Sequence, residues 1–177
     1  MPDKKGNLYL YEAVELRKEY DRHVELLEGL LGGESSNKRG LFHRDDDEDK
    51  DPAADFDQKE IEDRLKKLQT KRVKLNQEIQ KTNFETQIEH EGKGISIAEA
   101  LEVRKNLLGD IKAVAARTEK SSYRRVIHKE GRNIVQEPRH KFTETYREYQ
   151  DSLRHLRSLV NQIHAANHSA TANYKDE

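Results

Sequence analysis

Two arginines interrupt otherwise apolar helical stripes, and they are the first candidates for a chemical role. Arg17 and Arg104 each lie in a run of apolar residues spaced three and four apart, which places them on one face of a helix. A guanidinium removed from water without a partner costs several kcal/mol, so each arginine should meet a carboxylate, an amide, a carbonyl or a bound anion. The available partners recur in matching places and are Glu12, Glu99, Asn83 and Asn167. We favour an internal polar network that fixes helix register over a ligand site, although an arginine can also extend from such a stripe to water.

Residues 112–141 are the second candidate site because they hold nine Lys or Arg residues against three Glu. Such an excess could bind an anionic small molecule or a nucleotide. The candidate cations are Arg124, Arg125, Lys129 and Arg132. Residues 44–63 carry eleven acids against three bases, so the basic segment of one subunit could instead meet the acidic segment of another. We favour a charged patch over a specific anion site.

Metal and catalytic signatures are weak in this sequence. Glu137 and His140 have the Glu-x-x-His spacing of di-iron bundles, but that chemistry needs two such motifs and two more glutamates. The eight histidines are scattered without a His-x-x-x-His pair, and phosphate-loop, dinucleotide and nucleophile-elbow motifs are absent. We therefore predict no catalytic, cofactor-binding or metal-binding residues, and an enzyme is the less favoured class.

Composition favours long, solvated helices over a thick core. Of the 177 residues, 38% are charged and 33% hydrophobic, a size that suits one domain, 1–177. A net charge of -1 disfavours nucleic acid and anionic membranes as partners. The lack of Cys, of a spanning apolar segment and of a signal-peptide core predicts a cytoplasmic protein.

The helical stripe occurs twice, which indicates an internal duplication. Residues 10–18 return as 97–105, and the later stripe residues recur at the same offset. A weaker repeat relates Leu75 and Ile79 to Leu159 and Ile163. We expect helices over 8–31, from 58 to the turn at 92–94, over 97–120 with a Ser96–Glu99 capping box, and from 142 to about 168. Between them we expect an acidic loop or disordered insert over 34–57, a basic hairpin over 121–138 and a frayed tail over 169–177.

These elements predict an all-α fold with a minor β-hairpin. Two similar helix pairs favour an antiparallel four-helix bundle with coiled-coil seams. The predicted helices are long for a globular protein, which suggests that they also pack between subunits. A homo-oligomer is therefore expected.

The chain also resembles a known family. The motifs that carry the resemblance are the Glu-Ala-x-x-x-Arg helix starts at 12–17 and 99–104, Ile79-x-x-Thr82-Asn83-x-x-Thr86, Tyr123-x-x-x-Ile127-x-Lys129 and Ile163-x-x-x-Asn167. In order and over nearly the whole chain, they look like the small bacterial proteins called septicolysin-like. The resemblance implies a compact, oligomeric helical protein with a small hairpin and carries over no catalytic residues. The predicted function is that of a self-associating, non-enzymatic interaction protein; the alternative is a binder of an anionic small molecule or nucleotide.

Overall fold

The computed structural model describes residues 7–31 and 56–176, which form a mostly helical chain with short antiparallel strands. The helices are α1 (Leu10–Leu31), α2 (Gln58–Glu85), α3 (Ile97–Ser121) and α4 (Phe142–Ser169). The strands are β1 (Leu8–Tyr9), β2 (Gln87–His90), β3 (Lys93–Ser96), β4 (Arg125–Lys129), β5 (Arg132–Gln136) and β6 (Thr171–Ala172). The prediction of a mostly-α fold with a hairpin near 121–138 is confirmed. Within the described ranges, no helix combines the length and the apolar character needed to span a bilayer.

The strands form three two-stranded antiparallel sheets, in which β1 pairs with β6, β2 with β3 and β4 with β5. The two hairpins turn through Glu91-Gly92 and Glu130-Gly131. All four of these residues have positive φ angles, between 49° and 74°. Two consecutive left-handed residues make the turn whose twist matches that of the flanking strands, and a glycine at the second position adopts this conformation without a steric penalty.

The chain divides into two compact units, and the first comprises residues up to Lys81 together with 171–177. Here α1 and α2 run antiparallel, as shown by the contacts of Arg17 with Asn76 and of Asp21 with Arg72. The apolar stripe of α1 packs in the core of this unit. The buried apolar residues of the unit are Leu10, Ala13, Tyr20, Val24, Leu75, Ile79, Ala172 and Tyr174.

The second unit comprises residues 82–170 and contains the last turn of α2, β2 to β5, α3 and α4. Its helices α3 and α4 are antiparallel, with Arg117 facing Glu148 and Ser121 facing Thr145. The buried apolar residues are Ile88, Ile97, Ala100, Ile111, Val114, Leu159, Ile163 and Ala166. The second copy of the apolar stripe, on α3, is thus buried at both ends. Leu101 and Arg104, in the middle of this copy, are exposed.

The structure adds two features to the predicted elements. The Gly-rich segment after α2 is a hairpin turn between β2 and β3, where we expected a simple helix stop, because each strand is too short to show a period-two pattern. The tail that we expected to be frayed forms β6 and buries Tyr174. Gly32, Gly33 and residues 34–55 of the predicted acidic segment lie outside the described residues.

Candidate functional site

The two arginines of the repeated stripe have different surroundings. Arg17 is half-buried, and its Nη1 donates to Asn76 Oδ1 over 3.3 Å. Arg104 is exposed and has no hydrogen-bonding or ionic partner among the described residues. Asn83 is buried and Asn167 half-buried, and neither binds an arginine in the described part of the chain. Within each unit, therefore, none of the residues predicted to form one polar network hydrogen-bonds to another of them among the described residues.

Glu12 and Glu99 recur because each stabilises the start of a helix. The carboxylate of Glu12 accepts a hydrogen bond of 2.9 Å from the backbone N–H of Tyr9, just before α1. The carboxylate of Glu99 likewise accepts a hydrogen bond of 2.7 Å from the backbone N–H of Ser96, just before α3. The Ser96 hydroxyl in turn accepts a hydrogen bond from the backbone N–H of Glu99, and the two bonds form the predicted capping box. Hydrogen bonds from the Ser96 backbone and hydroxyl hold the pKa of Glu99 below its usual value. These carboxylates are occupied by their own helix ends, so they are not partners of the arginines.

The cations predicted to bind an anion lie on or beside the β4–β5 hairpin and point to water. Arg124, Arg125, Lys129 and Arg132 are all exposed. Arg124 lies 3.6 Å from Glu137, which is also exposed. An exposed, mobile pair of this kind contributes little free energy. The four cations therefore lie on a solvated surface.

Another part of the predicted basic segment does line a cleft. This cleft has a volume of about 270 Å³ and lies between the C-terminal half of α3 and the residues that precede α4. Its lining includes Arg117, Lys120, Arg139 and His140. Arg117 Nη2 lies 2.6 Å from Glu148 Oε1, whereas its buried Nε has no hydrogen-bond partner. A buried donor without a partner is uncommon, and together with the neighbouring cations it makes this cleft a candidate anion site.

A buried hydroxyl cluster in the first unit was not predicted. The hydroxyl of Tyr20 donates a hydrogen bond of 2.5 Å to Asp176 Oδ1. The hydroxyl of Tyr174 lies 3.2 Å from that of Tyr20. Because the Tyr20 proton is already used, Tyr174 donates in this second hydrogen bond. Lys71 lies 3.0 Å from the same Asp176 oxygen. Burial, followed by these hydrogen bonds, raises the pKa of Tyr20, and the hydrogen bond from Tyr20 lowers that of Asp176. The cluster fastens the C-terminal residues to α1 and α2.

A second unpredicted cluster joins the β2–β3 turn to the middle of α4. It contains His90, Glu91 and His155, and one potential metal-ligand atom of each lies within 4.8 Å of the others. His155 Nε2 is 3.5 Å from Glu91 Oε1, and the rings of His90 and His155 have centroids 5.1 Å apart. His155 is distant in sequence from the other two, so no motif spacing could have indicated the group.

Comparisons with known proteins define the fold and leave the chemistry open. The chain matches neither a protein-family model nor a curated protein. It is similar to a crystal structure of a functionally unknown conserved protein from Corynebacterium diphtheriae, with a TM-score of 0.68 and 22% sequence identity. The match covers 94% of this chain and 99% of the other. This similarity shows that the helical fold exists in a second protein.

Proposed function

We propose that the protein is a non-enzymatic cytoplasmic interaction protein that self-associates through the β4–β5 hairpin. The observation that carries the proposal is that both faces of this hairpin are apolar and uncovered. Val126 pairs with Val135 on one face, and Ile127 pairs with Ile134 on the other. All ten strand residues are exposed, and these four retain between 39% and 51% of their accessible surface.

A two-stranded hairpin with no covering layer is marginally stable in water. It also has two free edges, which offer unpaired backbone groups to another chain. The stacked rings of Phe142 and Tyr146, whose centroids are 5.6 Å apart at the start of α4, are exposed as well. The four hairpin side chains supply the apolar core that a protein interface requires, and the two rings are a further exposed apolar pair.

The partner that fits this surface is a second copy of the chain. The hairpin carries Arg125, Lys129 and Arg132 around its apolar centre, so two hairpins brought face to face would repel each other. The complementary charge lies in residues 44–63, and its described portion begins α2 with exposed Asp57, Glu60 and Asp63. We infer that the basic hairpin of one subunit meets the acidic segment of another.

Two finer expectations belong to this proposal. The four helices would form an antiparallel four-helix bundle made of two similar pairs, and the similarity to septicolysin-like proteins would extend to their oligomeric character. The repeated sequence supports the first expectation, and the motifs shared with septicolysin-like proteins support the second.

The test is analytical ultracentrifugation of the full chain at micromolar concentration, in low and in high salt. We expect an oligomer that weakens as salt rises, because the opposing charges become screened. Replacing Ile127 and Ile134 with Thr, or Val126 and Val135 with Thr, should shift the protein toward monomer while retaining strand propensity. Val73→Thr is the matched control, since Val73 is an exposed valine on α2.

A wild-type monomer under these conditions would overturn the proposal. Equal dissociation of the Val73→Thr control would show that the hairpin is not the interface. The two double variants also distinguish the two faces, because the face that contacts the partner should give the larger shift.

The second candidate function is binding of a small anion in the cleft beside α3. It is favoured by the buried, unpartnered Arg117 Nε and by Lys120 and Arg139 in the lining. Inorganic phosphate or ATP at one hundred times its dissociation constant should stabilise the protein by about 2.7 kcal/mol in a thermal-shift experiment. Arg139→Ala should remove the shift, whereas Arg125→Ala on the hairpin should leave it intact. Absence of any shift, or equal loss in both variants, would exclude this cleft as the site.

A further inference from the structure

The β2–β3 turn places two potential metal ligands against a third on α4. His90 ends β2 and pairs with Lys93 across the hairpin, so the intervening Glu91 and Gly92 form a tight two-residue turn. The turn fixes the backbone from which the imidazole of His90 and the carboxylate of Glu91 project. His155 lies in the interior of α4, a helix of 28 residues, which gives the third side chain a rigid base.

The spacing of these groups is close to that of a metal site. Ligands at about 2.0 to 2.2 Å from a tetrahedral zinc ion lie about 3.4 Å from one another. The His155 Nε2 to Glu91 Oε1 distance is 3.5 Å, and all three candidate ligand atoms lie within 4.8 Å of each other. The carboxylate side chain of Glu91 is 67% exposed and the imidazole of His155 37% exposed, so small side-chain rotations can close the remaining gap.

The donor set selects the class of metal. Two imidazole nitrogens and one carboxylate oxygen suit first-row transition metals such as Zn²⁺, whereas Mg²⁺ and Ca²⁺ prefer sites made of oxygen. Three protein ligands leave a fourth tetrahedral position for water or another ligand. The set also has the composition of the two-histidine, one-carboxylate sites that bind iron.

We propose that His90, Glu91 and His155 form a binding site for a divalent transition metal, with Zn²⁺ as the ion that fits best. Bound metal would link the β2–β3 hairpin to α4 and so stabilise the second unit. This proposal is independent of the self-association and anion-binding functions, because it uses neither the β4–β5 hairpin nor the cleft beside α3.

The repeated sequence supports a specific use of these residues. In the first unit the position equivalent to His155 is Lys71, by the constant offset that relates Leu75 to Leu159. Lys71 forms an ion pair with Asp176, so that carboxylate already has a permanent cation. In the second unit the imidazole of His155 replaces the lysine, and an uncharged imidazole presents a lone pair to a metal where an ammonium cannot.

The experiment is a titration of the untagged full chain with Zn²⁺ after removal of metal with a chelator. Affinity and stoichiometry would be measured by competition with a chromophoric chelator, and Co²⁺ would report the ligand geometry through its visible absorption. We expect one metal ion per chain, a rise in melting temperature on binding, and no competition from excess Mg²⁺ or Ca²⁺. His155→Ala and Glu91→Gln should each weaken binding at least tenfold.

His164→Ala is the matched control, because His164 is an exposed histidine farther along the same helix. It should bind Zn²⁺ as the wild type does. Equal affinity and stoichiometry in wild type and His155→Ala would overturn the proposal, as would a wild-type chain that binds no Zn²⁺. Circular dichroism of metal-free His155→Ala should match that of the metal-free wild type, which separates a lost ligand from a lost fold.

Discussion

The two repeats place different chemistry at equivalent positions. In the first unit Asp176 contacts the hydroxyl of Tyr20 and the ammonium of Lys71, and the hydroxyl of Tyr174 lies beside that of Tyr20. The corresponding residues of the second unit, according to the sequence offsets and the registers of the short sheets, are Leu107, His155 and His90. There the carboxylate is supplied by Glu91, whose Oε1 lies 3.5 Å from Nε2 of His155. One repeat satisfies its acid internally, whereas the other leaves an acid and two imidazoles partly exposed to solvent.

This difference separates what the duplication preserves from what it leaves free to change. The buried pairs Leu75 and Ile79 in one unit and Leu159 and Ile163 in the other keep the same place in the helix. Fully burying such a side chain contributes about 1.5 to 3 kcal/mol, and replacing it leaves a cavity, so these positions tolerate little change. Partly exposed polar residues, such as Lys71 and His155, carry smaller energies. Such residues can therefore diverge. In one copy they hold the C-terminal residues against α1 and α2, and in the other they are available for a binding site.

The largest effect that tests this comparison is expected for Asp176→Asn. Because the pKa of Asp176 is lowered in the folded protein, its carboxylate stabilises the fold at pH values above its unfolded pKa, about 3.9. That stability is lost as the pH falls through the lower folded value. We expect the variant to lose about 1 kcal/mol at pH 7, a figure reduced for the partial exposure of the Lys71 pair, and to approach the wild type at pH values below the folded pKa of Asp176. Urea unfolding at a series of pH values measures both quantities.

Glu91→Gln is the counterpart in the second unit and sharpens the test. In metal-free protein it should change the free energy of unfolding by no more than about 0.5 kcal/mol, because an exposed His–Glu pair contributes little. A loss as large as that of Asp176→Asn would contradict the comparison and show that both carboxylates are structural. A loss for Asp176→Asn that persisted unchanged at low pH would instead point to altered packing around Tyr20.

Sequence periodicity predicted the helices because each has several turns over which the apolar spacing repeats. The capping box at Ser96 and the Glu130-Gly131 turn were predictable because their chemistry is local. The Tyr20 and His155 clusters were not, since each depends on which side chains face one another after α1 and α2, or β2 and α4, have packed. Local chemistry also explains why Glu12 and Glu99 recur without pairing with the arginines. We expected each glutamate to be an arginine partner, whereas both carboxylates cap their own helices.

The smallest effect concerns the two arginines that first suggested a site. Arg17→Ala should lower the free energy of unfolding by about 0.5 to 1 kcal/mol, because it removes the hydrogen bond to Asn76 and the packing of a half-buried stem. Arg104→Ala should change it by less than about 0.5 kcal/mol, since Arg104 is exposed and the position equivalent to Asn76 is Val160, which offers no side-chain acceptor. Urea unfolding of the two variants, with Asn76→Ala added to each, checks the pairing. Coupling to Asn76 in the Arg17 background and additivity in the Arg104 background would show that only the first copy of the stripe has this polar contact. Equal losses for both arginines would mean that Arg104 has acquired a partner by assembly, and would direct attention to the face of α3 that carries it.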